Sequence, residues 1–323
     1  MLVKTLPKGQ KEAFFMSLSI TVAAVAMMLL YAIPGYGLVK CGKIKEEHIP
    51  TFAVLLLYIC SPCLSINSFS RVDFTPQLGK DLILFFILSF VIQFGVLLVA
   101  YAILRKKGKE DVRYRIYSIA VTLSNCAFMG VPLMEALLPE YPAAVACSAV
   151  YSFAMNILAW TVCSYIISGE DKQYISPKKI LVNPCTIVLP LSLFLFISNY
   201  ELPAFLGDAI ATMGRVSTPL CMLIMGMRLA TSDLKKVFTG LDTYLVTFLK
   251  QMLIPGACMM VMTLLPLPRE MQVSMYILLC CPVASMVLSF AEMIGKGQRS
   301  AADLMLGSTI LSIITIPVMM LLV

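Results

Sequence analysis

Hydrophobic residues in this 323-residue chain do not alternate with polar ones. They gather in long runs separated by short polar stretches. Eight runs carry no charged side chain: 13–39, 49–70, 82–104, 116–134, 141–169, 180–200, 271–291 and 304–323. A helix rises about 1.5 Å per residue, so runs of this length match a hydrocarbon core of about 30 Å. Two more runs are apolar but interrupted, 202–230 by Asp208, Arg215 and Arg228, and 243–267 by Lys250. The pattern predicts ten membrane-spanning helices. Lys4, Lys8 and Lys11 precede the first run as they would in a signal peptide. That run is too long for a signal core and ends in Pro34-Gly35-Tyr36-Gly37, so it reads as a true span.

Composition agrees with the pattern. Hydrophobic residues make up 59% of the chain and charged residues only 13%, and the mean hydropathy is +0.89. A soluble domain carries about 25% charged residues, so this surface faces lipid. Ten spans with the N-terminus outside place 17 Lys and Arg in inside loops and 6 outside. Arg215 and Lys250 fall within spans, which accounts for all 25. This positive-inside bias predicts both termini outside, in the inner membrane of the cell. The net charge of +7 is then a topology signal, and no nucleic-acid partner is expected. The eleven cysteines lie almost all in apolar runs, and His48 is the lone histidine. Metal ligands want Cys and His clustered at loop spacing, so no metal or other cofactor is expected.

The longest polar stretch, 168–179, divides the chain into halves 1–169 and 170–323, each with five spans. An odd number makes the second half enter from the opposite side, as in an inverted repeat. The halves share punctuation. Span two has Ser61-Pro62-Cys63 and span seven Thr218-Pro219-Leu220; span four has Gly130-Val131-Pro132 and span nine Cys281-Pro282-Val283. Proline removes a backbone donor, and hydrocarbon tolerates the broken helix only where it is buried or lines a cavity. Broken spans at matching places point to a transporter's central site, where half-helix N-termini offer free amides to an anion.

The sharpest cluster is 124–133, Ser-Asn-Cys-Ala-Phe-Met-Gly-Val-Pro-Leu, in span four. It holds a buried amide in Asn125, a glycine that admits another backbone, and a proline break. Two readings stay open on these residues: a binding site, or a kinked helix whose Asn125 bonds a neighbour. The motif Asn125-x-x-x-Met129-Gly130-x-Pro132-Leu133 resembles that of the auxin efflux carrier family, which holds plant PIN carriers and bacterial carriers of malate, malonate and similar acids. Gly35-Tyr36-Gly37 with Cys41-Gly42, Pro282 with Ala291, and Ser308–Ser312 with Thr315-Ile316-Pro317 are similar to other parts of the family pattern. The chain departs from it at Ala127, where many bacterial members have glycine. Lys80 and Asp81 match only approximately a charged pair of the plant carriers.

The resemblance implies an all-α membrane fold of two inverted five-helix repeats, with broken helices four and nine crossing as in NhaA-like and bile-acid-symporter-like carriers. It further implies a scaffold of spans one, two, six and seven that forms a homodimer, and an elevator-like transport part of spans three to five and eight to ten. A small organic anion would bind among Asn125, Met129, Gly130, Pro132, Pro282, Ser285 and Asn156. Several polar residues keep two readings. Glu135 and Glu292 end spans four and nine, and either take a proton or cation or reach headgroup water. Arg215 and Lys250 either counter an anion or extend to an interface. Ser308, Thr309, Ser312 and Thr315 either hold a cation or bond backbone carbonyls. Coupling to sodium or protons is therefore an open expectation. An intramembrane enzyme would need a denser set of ionisable groups, and a channel would need a filter or charge rings. The nearest rival is a sodium–bile acid symporter-like carrier.

Overall fold

In hydrocarbon every peptide group must be satisfied within the protein, and a helix does this inside one segment. The computed structural model describes residues 8–175, 184–232, 237, 239–265 and 267–322, and among them every regular element is helical. Lys4, Lys178, Lys179, Lys235 and Lys236, which enter the orientation count, lie outside the described residues.

In chain order the helices are α1 (Ser19–Lys40), α2 (Glu46–Ser70), α3 (Pro76–Glu110), α4 (Val112–Ala120), α5 (Cys126–Leu137), α6 (Ala143–Ser168), α7 (Pro184–Ile197), α8 (Ala204–Thr231), α9 (Leu241–Met262), α10 (Arg269–Cys280), α11 (Met286–Ile294) and α12 (Gln298–Met320). Among the described residues seven are long and apolar enough to cross a membrane: α1, α2, α3, α6, α8, α9 and α12. The chain is a multi-pass membrane protein. The apolar runs 116–134 and 271–291 are not single helices. The first divides between α4 and α5, the second between α10 and α11.

Proline explains much of the local irregularity. Wider π-type turns occupy Leu56–Cys60, Cys126–Gly130 and Leu249–Leu253, each just ahead of Pro62, Pro132 or Pro255. A proline cannot donate to the carbonyl one turn earlier, and the helix widens there to re-pair its backbone. Near the first of these turns the Ser61 hydroxyl donates to the Leu56 carbonyl at 2.9 Å.

Small residues set the closest packing. The second half of α1 lies against α8, with Gly35 on the Leu223 backbone and Gly226 on the Ala32 carbonyl, so neither position has room for a Cβ. Gly214 of α8 lies likewise against Leu64 of α2. Interhelical contact in lipid depends on such close approach, because lipid tails are as apolar as the helices. The end of α2 packs on α7 and α8, while α3 packs on α4 and α6. Helix α12 packs on α9 and α11, and α9 packs on α10.

Candidate functional site

The break between α4 and α5 and the break between α10 and α11 meet. The amide of Asn125 donates to the Pro282 carbonyl at 2.8 Å, and the amide of Ala284 donates to the Leu123 carbonyl at 2.9 Å. Ser124 and Val283 thus face each other as a short antiparallel bridge. Helix breaks leave amides and carbonyls without intrahelical partners, and each break here supplies what the other lacks. The Val283 amide is taken by the Ser308 hydroxyl of α12 at 3.1 Å. The Cys126 carbonyl accepts from the Ser148 hydroxyl of α6 at 2.9 Å.

Two helices begin at this meeting point, α5 after Asn125 and α11 after Ser285. Their first-turn amides carry the positive ends of the helix dipoles. Both starts open on a cavity of about 370 Å³, within the size range of small-molecule sites. One wall holds Ser61, Ser65 and Ser68 of α2 with Thr186 and Leu189 of α7. The opposite wall holds Asn125, Ser148, Ser152, Asn156, Ser285 and Ser289 with apolar neighbours including Phe153 and Trp160. Among the described residues none that lines it is charged. Asn125 is 9% exposed and Asn156 is 7% exposed. The Asn156 Oδ1 atom is buried with no hydrogen-bond partner among the described residues.

The expected site residues therefore separate. Asn125, Asn156 and Ser285 line the cavity. Pro282 acts through its carbonyl, which holds the Asn125 backbone. Met129 is fully buried behind the wall. Gly130 lets α5 approach α10: an added Cβ would lie 2.8 Å from Leu278. Pro132 stands in the first turn of the regular helix that follows the π turn. Ser308 holds a backbone amide, and the Thr309 hydroxyl donates to the Met305 carbonyl at 2.8 Å. Glu135 and Glu292 are about half exposed, and each meets an arginine at 3.2 Å, Arg71 and Arg228 respectively.

Apart from Ser285, sequence reasoning missed the serine faces. Ser61, Ser65 and Ser68 recur at helical spacing, as do Ser148 with Ser152 and Ser285 with Ser289. That spacing was a usable signal. It also left the place of Lys250 undecided. This α9 lysine is 1% exposed and reaches the break from behind, donating to the Ser124 hydroxyl and, at 3.0 Å, to the Leu279 carbonyl. Arg215 is instead exposed beside Thr212.

Comparison with known proteins agrees with a transport role. The profile of a family described as membrane transport protein matches residues 20–177 and 173–320. The chain is also similar to an uncharacterized transporter of Methanocaldococcus jannaschii, 25% identical over 236 residues, covering 70% of this chain and 74% of that protein. A transport family and a transporter relative make this a transport protein and not an enzyme. With matches that together run from residue 20 to 320 and the span-four motif at the heart of the site, the chain belongs to the auxin efflux carrier family of membrane transport proteins.

Proposed function

We propose that this protein is a secondary carrier of small organic anions, carboxylates of the malate or malonate kind or auxin-like acids, bound where the two helix breaks meet. The observation that carries the reading is the cavity itself. Two helix N-termini open on it beside the side-chain amides of Asn125 and Asn156. Hydroxyls line both walls and the rest is apolar. Such a place stabilises a carboxylate by amides and dipoles without a fixed ion pair, so the anion can leave again.

Ten spans in two inverted halves, 1–169 and 170–323, fit the distribution of contacts. In this reading α4 with α5 is span four, and α10 with α11 is span nine. The paired sites recur at one offset. Arg228 and Glu292 follow Arg71 and Glu135 by 157 residues (228 − 71 and 292 − 135), and Pro219 follows Pro62 by the same interval. The cavity then lies between a scaffold of α1, α2, α7 and α8 and a mobile part made of the remaining helices, as elevator-type alternating access requires. The exposed apolar side chains Tyr58, Leu191 and Phe194 suit a scaffold covered by lipid or a second copy. The protein would sit in the inner membrane with both termini outside.

A screen of labelled mono- and dicarboxylates in proteoliposomes, with and without pH or sodium gradients, tests the reading. Saturable uptake of at least one small acid is expected. Uptake of none, or sodium-dependent uptake of steroid acids alone, would overturn it in favour of the bile-acid-symporter-like alternative or another substrate class.

A further inference from the structure

A charge buried in a membrane protein is costly unless it is paired or well hydrogen-bonded, and an intramembrane ionisable group is a functional candidate by default. Lys250 is such a group, and it forms no ion pair among the described residues. Its two oxygen partners are informative. The Leu279 carbonyl belongs to the last turn of α10, where carbonyls have no amide ahead of them and the dipole is negative. The Ser124 hydroxyl belongs to the other break, and Ser124 itself lines the cavity. Carbonyls at the C-terminal end of a half-helix are where carriers of broken-helix design coordinate a travelling cation.

We propose that the Lys250 ammonium is a tethered cation that occupies this coordination place, so that the carrier moves its anion without a co-transported alkali ion. This rests on the anion-carrier reading above. Lys250 packs within the same group of helices as both breaks, so its charge travels with the bound anion and offsets it. Accepting a bond from Lys250 also leaves the Ser124 hydroxyl proton free to turn toward Tyr151, 3.4 Å away, or toward the cavity. The tether is asymmetric between the halves. The position 157 residues earlier (250 − 93) is Gln93, equally buried but neutral.

Thermal unfolding of the purified full chain in sodium, potassium, ammonium or methylammonium chloride, each against choline chloride at equal ionic strength, tests this without any substrate. Lys250→Ala empties the place and is expected to melt about 2–4 °C higher with a small cation than with choline. The wild type and Lys250→Met, which refills the space without charge, are expected to respond to none of them. An unresponsive alanine variant, or a wild type stabilised by sodium over choline, overturns the proposal. So does an alanine variant lost in every salt beside a normally folded methionine variant, since bulk alone would then matter. In proteoliposomes, replacing sodium by choline is expected to change wild-type malonate uptake less than twofold, and strict sodium dependence would overturn the tether. If no acid is carried at all, the anion reading falls while the melting experiment still judges the cation place.

Discussion

Side-chain size decides more at single positions here than side-chain chemistry does. Gly226 and Gly35 face each other's helix across α8 and α1, and the atoms against them are backbone, which cannot swing aside. Overpacking a fitted contact costs about 1–3 kcal/mol. Gly226→Val is therefore expected to lower the melting temperature of the purified protein by several degrees, while Gly37→Ala, which meets open space, leaves it unchanged. Asn125 shows how far single residues were legible in the chain. Its motif marked both the break and the family. The partner of its amide, Pro282, lies 157 residues away (282 − 125), and no local pattern names such a partner. The Lys250–Ser124 contact spans 126 residues and was hidden for the same reason.

Among elements, the helix breaks were readable and their consequence was not. Proline in runs 116–134 and 271–291 announced irregular helices. That each run would divide into two short helices depended on the two breaks exchanging hydrogen bonds, a tertiary fact. The serine faces of α2 and α6 were readable by spacing alone and were lost among the many small residues of membrane helices.

The ion pairs Arg71–Glu135 and Arg228–Glu292 join the ends of α2 and α8 to the ends of α5 and α11. In the proposed inverted arrangement they would lie on opposite faces of the membrane. Half-exposed pairs contribute about 0–1 kcal/mol, so Arg71→Ala and Arg228→Ala are expected to leave stability nearly unchanged. They should bias access in opposite senses, Arg71→Ala toward the outside and Arg228→Ala toward the inside. Labelling of Ser65→Cys in the cavity wall by an impermeant maleimide, added from one side, reads the bias; equal labelling in both variants would refute it.

A third pair works through protonation. Glu170, just beyond α6, accepts from Arg105 at 3.0 Å and from Tyr101 at 2.6 Å, and these bonds hold its carboxyl below the usual range. A depressed carboxylate adds stability above its unfolded value, and loses it as pH falls through the folded one. Wild type should thus lose its advantage over Glu170→Gln on acidification below the ordinary carboxylate range, as read by melting temperature against pH.

At the scale of the whole molecule, composition gave the membrane class, because lipid imposes rules on every span alike, and charge placement supplied an orientation that stands as an expectation. The cavity was not legible there, since it forms between helices far apart in sequence. Its walls come from both halves: α2 and α6 from the first, α7 and α11 from the second. In the proposed reading the substrate sits at the seam between two bodies, and motion of one past the other would change the face to which the seam opens.

The central claim is that this seam binds a small organic anion through Asn125 and the adjoining helix amides. Uptake of labelled malate and malonate into proteoliposomes by wild type and by Asn125→Ala, with the melting temperature of each measured alongside, tests it most directly. Losing one buried hydrogen-bonding group costs about 1–3 kcal/mol, so the variant should keep its melting temperature within a few degrees and lose about tenfold or more in apparent affinity. Wild-type uptake that Asn125→Ala reproduces at the same affinity would contradict the account.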